Sequence, residues 1–316
     1  MSVIVNAVFP LFALILLGYL AARKRLLGAG AVDSLNKFVV WMALPALLFQ
    51  AMAKITWDQV KQPGFVAAST LAIAAVFLVS YFLDRRRSGR LADASIEGLA
   101  ASYSNAGFMG IPLCLMLFGE ASLPPVIITT LLTACVLFAF SIVLIEIDLL
   151  GSPNVLRTVR KVAFSLLRNP LVAAPLLGTL VAVLQWPLPY AVEQFTTLLG
   201  AAASPCALIT IGLFLAQDQP TEHHGAVWRI VALKLFLHPL IAFVLVYWVF
   251  DMPPLWATTA VLLAALPVGT GPFMLAKLYE REPAITSRAI LISTVLSLAT
   301  VSVLVAWLPG AASQTN

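Results

Sequence analysis

Long apolar runs separated by short polar stretches make up almost the entire chain. Ten such runs occur, and we number them segments 1 to 10: roughly residues 3–22, 32–53, 64–83, 93–119, 123–149, 169–186, 194–217, 227–250, 254–278 and 285–308. A helix needs about 20 apolar residues to cross the hydrocarbon core of a bilayer, so each segment predicts a membrane-spanning helix. The pattern indicates an all-α integral membrane protein without a soluble domain between its spans.

The composition agrees with this class. Of 316 residues, 61% are hydrophobic and 10% are charged, and the mean hydropathy is +0.98. The first positive charges follow segment 1 instead of preceding it, which differs from a cleaved signal peptide. We therefore expect segment 1 to be the first spanning helix. The three cysteines fall within segments, without paired or metal-ligand spacing, and we interpret them as packing residues. No metal or organic cofactor is expected.

The basic residues are distributed unequally between the two sides of the membrane. If all ten segments cross, 16 of the 19 Lys and Arg residues fall on one side, two on the other, and Lys234 lies within a segment. The positive-inside rule then places the basic side in the cytoplasm and both termini outside, in the periplasmic or extracellular space. The net charge of +5 is therefore a topology signal, and we expect no nucleic-acid partner.

An offset of 160 residues aligns the chain with itself. Pro10 then meets Pro170, Pro45 meets Pro205, Pro112 meets Pro272, and Gly18 meets Gly178. This predicts a first five-helix repeat over residues 1–150 and a second over 169–310, joined by an interfacial linker at 151–168 and followed by a short tail at 311–316. With five spans in each half, the second repeat enters the membrane inverted. Such inverted repeats are typical of secondary transporters.

Segments 4 and 9 contain helix-breaking residues at matching repeat positions. Segment 4 carries the stretch SNAGFMGIPL, and segment 9 carries PVGTGP. Proline removes a backbone donor, and glycine permits unusual backbone angles and close approach of another backbone or of a ligand. We predict two broken helices, with half-helices beginning near Ile111 and Gly271, that cross at mid-membrane and bind substrate there. Proline-kinked helices without a ligand are the alternative. The predicted substrate-binding residues are Asn105, Gly107, Met109, Gly110, Ile111, Pro112, Pro267, Gly269, Thr270, Gly271, Pro272 and, from segment 2, Gln50.

Few ionisable groups lie within the segments, and each is a functional candidate. Lys234 and His238 share one helix face at i,i+4 spacing. Lys234 is interpreted mainly as snorkelling to the cytoplasmic surface, and His238 as bonding a neighbouring helix. Glu97 suits either proton coupling or a solvated entrance position. These three are the candidates for ion coupling, and the sequence leaves open protons, sodium ions or neither. Gln50 and its repeat mate Thr210 face either the crossover or a neighbouring helix.

Three stretches together resemble the auxin efflux carrier family, whose bacterial branch includes malonate and malate permeases. They are Asn36 to Pro45, Asn105 to Pro112 and Ala264 to Tyr279. The resemblance extends over essentially the whole chain. It implies a 5+5 inverted-repeat fold, with segments 1, 2, 6 and 7 as a scaffold and the remaining segments as a mobile transport domain. It also implies substrate bound at the crossover by Asn105 and by the helix ends at the two prolines.

Two features differ from the plant members of that family. The linker from Gly151 to Arg168 is short and carries Arg157, Arg160, Lys161 and Arg168 among apolar residues, which predicts a helix in the membrane interface. Segment 3 carries no charged residue from Gly64 to Leu83.

These observations favour a secondary transporter and not an enzyme. The sequence contains no H-E-x-x-H or G-x-S-x-G motif and no carboxylate pair placed for metal catalysis. Repeated selectivity groups typical of a channel pore are also missing. We predict an efflux carrier or permease for small organic anions, mono- or dicarboxylates, working by alternating access in the bacterial inner membrane, with a homodimer as a compatible assembly. The alternatives are a transporter of aromatic carboxylates such as auxin and a non-carrier anion channel.

Overall fold

The computed structural model describes residues 2–28, 30–55, 62–150, 160, 164, 167–217 and 221–307. Six helical stretches are long and apolar enough to cross a membrane: Ala31–Ala53, Pro63–Arg85, Glu120–Leu149, Tyr190–Leu215, His224–Val249 and Pro283–Trp307. Shorter apolar helices occupy the other segments, at Val8–Arg23, Ala106–Phe118, Pro170–Val183 and Pro254–Ala265. The predicted all-α membrane class is confirmed. The predicted interfacial helix and the tail lie almost wholly outside the described residues.

Sixteen α-helices are found in the described part of the chain. In the first half they are α1 Ser2–Arg23, α2 Ala31–Phe38, α3 Leu44–Ala53, α4 Pro63–Ser88, α5 Leu91–Ser102, α6 Ile111–Phe118, α7 Leu123–Leu131 and α8 Phe138–Leu150. In the second half they are α9 Pro170–Val183, α10 Tyr190–Ala201, α11 Ala203–Leu215, α12 His224–Ala232, α13 His238–Val244, α14 Pro254–Ala265, α15 Gly271–Leu278 and α16 Pro283–Trp307.

Three spans contain a π-helical turn immediately before a proline. The turns are Val39–Ala43 before Pro45, Ala106–Gly110 before Pro112, and Leu233–Leu237 before Pro239. In each, the residue before the proline donates its N–H to a carbonyl five residues earlier. Proline lacks an N–H and its ring displaces the carbonyl four residues back, so the preceding turn widens instead of closing as α-helix. The kinks therefore have a definite local cause.

The helices pack in two groups. In one, α1 lies along α11 while α3 contacts α9 and α10, which unites segments 1, 2, 6 and 7. In the other, α4 packs on α5, α5 on α8, α13 on α14, and both α12 and α15 on α16, which unites segments 3, 4, 5, 8, 9 and 10. These two groups are called the four-segment group and the six-segment group below.

Glycines allow the tightest contacts within the four-segment group. A Cβ on Gly18 of α1 would collide with the backbone carbonyl of Ile209 in α11, and a Cβ on Gly178 of α9 would collide with the carbonyl of Phe49 in α3. Gly18 and Gly178 are 160 residues apart, and so are Phe49 and Ile209. The same backbone-to-backbone contact is thus made twice. Small residues at such positions let membrane helices approach closely, which increases van der Waals packing.

The two groups meet along α1, α11 and the second half of segment 4. The π turn Ala106–Gly110 packs against α11, and α6 packs against α1. Segment 9 reaches the same boundary, where the rings of Phe273 in α15 and Phe214 in α11 form an edge-to-face pair with centroids 4.9 Å apart. The half-helices that follow both breaks therefore lie at the boundary between the groups.

Candidate functional site

Segments 4 and 9 are both interrupted near their centres. In segment 4, α5 ends at Ser102 and helical structure resumes at Ala106. In segment 9, α14 ends at Ala265 and α15 begins at Gly271. The α-helical half-helices α6 and α15 begin at Ile111 and Gly271, as predicted. However, a π turn precedes α6, so the break in segment 4 lies at Tyr103–Asn105, upstream of the glycines and proline predicted to cause it.

The two interruptions contact each other through an antiparallel β-bridge between Ser104 and Val268. The Asn105 N–H donates to the Pro267 carbonyl, and the Gly269 N–H donates to the Tyr103 carbonyl, both at 3.0 Å. The Val268 N–H donates to the Ser293 hydroxyl of α16 at 3.1 Å. We call the contact between residues 103–105 and 266–270 the crossover. Backbone groups freed by two broken helices thereby satisfy one another inside an apolar protein.

Three of the predicted glycines are required for space. A Cβ on Gly269 or Gly271 would lie 2.8 Å from the ring of Tyr103, and a Cβ on Gly110 would lie 2.8 Å from the Leu263 side chain. Gly107 has room, since its nearest neighbour would be a Thr130 methyl at 3.5 Å. In the described residues, positive φ values among glycines occur only at Gly89 and Gly119. Unusual backbone angles, one of the two reasons predicted for these glycines, are therefore not found at the crossover, whereas the other predicted reason, close approach of another part of the chain, is found at Gly110, Gly269 and Gly271.

Asn105 is the polar side chain at the centre of the crossover. It is 6% exposed, and its amide nitrogen Nδ2 is buried without a hydrogen-bond partner. Its backbone carbonyl accepts from the N–H groups of Met109 and Gly110, so the residue also begins the π turn. An unpaired buried amide costs about 1–3 kcal/mol, which a bound acceptor would recover. The unpaired Asn105 amide is the feature of the crossover that most directly indicates a bound ligand.

The remaining predicted residues of the two breaks differ in burial. Met109 and Ile111 are buried and join the main hydrophobic core. Pro112, Pro267 and Pro272 are also buried, whereas Thr270 is partly exposed and its carbonyl accepts from the Met274 N–H at 3.2 Å. The structure therefore brings together the predicted residues of segments 4 and 9.

Gln50 lies apart from the crossover contacts. Its amide donates to the Thr197 hydroxyl of α10 at 2.6 Å, within the four-segment group. Its repeat mate Thr210 donates to the Cys206 carbonyl of its own helix at 2.6 Å. Gln50 thus bonds a neighbouring helix, which was the alternative interpretation of its position, whereas the hydroxyl of Thr210 bonds within its own helix.

Lys234 is fully buried, with 0% exposure, and does not snorkel as predicted. Its ammonium Nζ donates to the carbonyl of Ala264, at the end of α14 beside the crossover, at 2.5 Å. The π turn that precedes Pro239 directs this side chain inward. The carbonyl belongs to the last turn of α14, whose acceptors have no intrahelical partners.

His238 follows one turn later and is 3% exposed. Its Nδ1 has no hydrogen-bond partner, nor does the Thr129 hydroxyl. Both residues line a cavity of about 10 Å³ together with Ser104 of the crossover. That volume is close to the minimum that accommodates one water molecule. The predicted bond from His238 to a neighbouring helix is therefore not formed in this structure.

Glu97 is buried in an ion cluster and is not solvated. Arg229 of α12 bonds its carboxylate and also lies 3.2 Å from a carboxylate oxygen of Asp84 in α4. Both carboxylates are almost inaccessible, at 4% and 0% exposure. The cluster ties segments 3, 4 and 8 together on the arginine-rich side. Breaking such a buried pair by removing one partner is strongly destabilising, so this cluster has a structural role.

Two contributors to the crossover, Tyr103 and Ser293, were missed from the sequence. They act through packing and through one hydrogen bond to a backbone group. The two glycines facing Tyr103 were visible in the sequence, but their partner was not, because it lies in the other repeat. A tyrosine two residues before Asn105 was the available signal.

Comparison with known proteins gives a consistent result. A family described as "Membrane transport protein" matches residues 3–305. A Rhizobium meliloti protein named "Putative malonate transporter" is 32% identical over 310 residues, covering 96% of this chain and 95% of that protein. The Arabidopsis thaliana "Auxin efflux carrier component 8" is 23% identical, with 94% and 95% covered. An "Uncharacterized transporter" of Methanothermobacter thermautotrophicus is 27% identical, with 93% and 94% covered.

The resemblance inferred from the three motifs is thereby confirmed, and the match includes both broken segments and nearly every helix of the two packing groups. The homologues are named as transporters and not as enzymes. An all-helical chain with several helices able to span a bilayer agrees with that role. The chain belongs to the membrane transport protein family that includes the auxin efflux carriers, and it is a membrane transporter.

Proposed function

We propose that this protein is a secondary transporter of small organic anions, mono- or dicarboxylates, with the substrate bound at the crossover. The observation that carries the proposal is the Asn105 amide, which is buried, unpaired and adjacent to the beginnings of two half-helices. The name of the Rhizobium meliloti relative makes malonate the first substrate to test.

The electrostatic argument rests on helix ends. The first N–H groups of a helix lack intrahelical acceptors and carry a partial positive charge. Each such end stabilises an anion by about 0.3–1 kcal/mol when exposed, and by up to ~2 kcal/mol when partly buried. The π turn at Ala106 and helix α15 at Gly271 both begin at the crossover. Two ends and the Asn105 amide can therefore hold one carboxylate without an arginine.

We further propose that ten spans form a 5+5 inverted repeat. Helices α6 and α15 have the same length and begin 160 residues apart, at Ile111 and Gly271. The paired contacts of Gly18 with Ile209 and of Gly178 with Phe49 follow the same offset. Both observations support an internal duplication of the predicted kind.

The proposed transport cycle is an elevator-type movement with alternating access. The four-segment group would be the scaffold, and the six-segment group would carry the crossover across the membrane. The packing of helices into these two groups supports this division, as does the location of α6 and α15 at their boundary. In this orientation both termini are periplasmic or extracellular, as the positive-inside rule predicts.

Calorimetry on purified protein tests the substrate proposal. We expect malonate to bind and its neutral diamide, malonamide, to show no binding. Asn105→Ala should weaken malonate binding by about one hydrogen bond to a charged group, ~1.5–3 kcal/mol. Asn36→Ala is the matched control, since it removes an amide at the start of segment 2, and it should leave the affinity unchanged. Equal affinity for malonate and malonamide would exclude the anion site.

A further inference from the structure

Four helix ends converge at the crossover, and their charges differ in sign. The C-terminal ends of α5 and α14 are negative, and the starts of the Ala106 turn and of α15 are positive. If nothing else were present, the two negative ends would largely cancel the attraction of the positive ends for an anion. The selectivity of the site therefore depends on what neutralises the negative ends.

Lys234 lies at one of these negative ends. Its ammonium bonds the Ala264 carbonyl in the last turn of α14, and no part of it reaches solvent. Among the described residues, no carboxylate lies within 4.0 Å of this ammonium. The bond places this group where a positive charge would act on the last carbonyls of α14 and on the space beyond them.

Among the described residues, the donors at the other negative end are neutral. At the end of α5, the Ser102 hydroxyl donates to the Gly98 carbonyl at 2.8 Å, and the Gly269 N–H donates to the Tyr103 carbonyl. The residue 160 positions before Lys234 is Ala74. A charge on Lys234 would therefore act on one of the two negative ends and not on the other.

We propose that Lys234 is a specificity-determining residue that makes the crossover select anions, and that it acts through its charge at the end of α14 without touching the substrate. This inference rests on the proposed function, because it concerns the ligand of the same site. In this proposal Lys234, in segment 8, determines that the site selects anions over cations. Asn105 and the two helix starts contact the ligand itself.

The test measures how much a ligand's affinity depends on its charge. The probes are malonate, a dianion, and its monoamide malonamate, a monoanion, titrated into wild type and into Lys234→Gln. The glutamine keeps an N–H donor for the Ala264 carbonyl and removes the charge. The Coulomb energy between a unit charge and a ligand is proportional to the charge of the ligand, so a dianion loses twice the binding free energy that a monoanion loses. We therefore expect the fold loss of malonate affinity in Lys234→Gln to be about the square of the fold loss for malonamate.

Lys277→Gln is the matched control. Lys277 is an exposed lysine on α15, which is the second half-helix of segment 9. It should leave both affinities within about twofold of wild type, since exposed charges are screened by solvent and salt. Lys234→Met repeats the charge removal without the hydrogen bond. If a variant aggregates in detergent, competition of the same two ligands against uptake in membrane vesicles gives the same ratio.

The outcomes separate this inference from the proposed function. If wild type binds both ligands and Lys234→Gln weakens them equally, or not at all, the inference is overturned while the anion site stands. If Lys234→Gln binds normally and only Lys234→Met is impaired, the hydrogen bond and not the charge matters, and the inference is again overturned. If wild type binds neither ligand, the proposed substrate class fails and the inference fails with it.

Discussion

Tyr103 determines the shape of the loop in segment 9. Its ring lies against the backbone of residues 269–271, so that neither Gly269 nor Gly271 can carry a side chain without displacing it. The loop is therefore fixed by contact between the repeats, in addition to its two backbone hydrogen bonds with segment 4. The residues that precede α15 are held in place before any ligand arrives.

Gly269→Ala and Gly107→Ala should behave differently. The new methyl group at residue 269 would lie 2.8 Å from the Tyr103 ring, whereas at residue 107 it would be 3.5 Å from its nearest neighbour. We expect Gly269→Ala to lower the free energy of unfolding by about 1–3 kcal/mol, as overpacked cores do. Gly107→Ala should be neutral or slightly stabilising, since alanine is favoured over glycine in helical turns. Thermal unfolding in detergent measures both.

Replacing Tyr103 provides the control for this pair. In a Tyr103→Leu background, the aromatic ring is gone, and Gly269→Ala should cost less than it does in wild type. An undiminished cost would show that the glycine is needed for another reason. If Gly107→Ala keeps its stability but loses malonate binding, the substrate approaches that glycine, as the sequence predicted.

The sequence predicted which residues form the crossover better than it predicted why each of them is needed there. Asn105 was identified because a polar side chain beside glycine and proline is unusual within an apolar segment. The glycines were identified for the same reason, and of the two roles inferred for them, backbone freedom and close approach, the structure shows close approach. The exposure of Lys234 was predicted wrongly. Regular helical spacing gives the helix face on which a residue lies and its distance from the helix end, but it did not reveal the π turn in which the buried Lys234 lies.

At the scale of the helices, proline has a recurrent effect on the preceding turn. Segments 2, 4 and 8 each contain a five-residue π turn that ends two residues before the proline. In segment 4 this turn begins at the crossover, so the Asn105 carbonyl accepts from two N–H groups, those of Met109 and Gly110. The proline at residue 112 thus influences the geometry of a residue seven positions earlier.

Pro112→Ala and Pro45→Ala compare the same local change in two environments. Alanine restores an N–H that can close the preceding turn as α-helix. At residue 112 this would shift the Asn105 carbonyl, and we expect malonate affinity to fall about tenfold, as when one hydrogen bond to a charged group is lost. At residue 45 the altered turn lies in the four-segment group, and the change in affinity should be small. Calorimetry on the two variants, purified in equal yield, measures both malonate affinities. Equal losses of affinity would mean that both prolines serve folding alone.

For the whole molecule, orientation is the property that the sequence predicts and an experiment can check directly. Gln185 lies at the end of segment 6, after helix α9, and Glu222 lies between segments 7 and 8, and both are exposed. The positive-inside rule puts Gln185 outside and Glu222 in the cytoplasm, because the connections alternate between sides.

Single cysteines at these two positions, in a variant without the three native cysteines, report the orientation. Gln185→Cys should react with a membrane-impermeant thiol reagent in intact cells. Glu222→Cys should react only after the membrane is permeabilised. The reverse pattern would invert the proposed topology without affecting the helix packing, and reaction of both in intact cells would contradict a single orientation.

The global arrangement was partly accessible from the sequence. Apolar length located the six helices that are long enough to span a membrane and the four shorter apolar helices. It did not predict where segment 4 breaks, because a β-bridge to Val268 and the packing of Tyr103 decide that position. The assignment of segments to two packing groups came only from the family resemblance, since apolarity alone does not distinguish lipid from a neighbouring helix.

The reciprocal glycine contacts have a consequence for the order of events during synthesis. Gly18 meets Ile209, and Phe49 meets Gly178, so neither of the first two spans has its main partner within the first half of the chain. The partner of segment 1 is made roughly 190 residues later, which at ~5–20 residues per second is a delay of about 10–40 seconds. Until segments 6 and 7 are made, the faces of segments 1 and 2 that carry Gly18 and Phe49 lack these partners. The four-segment group is therefore completed late, when segment 7 enters.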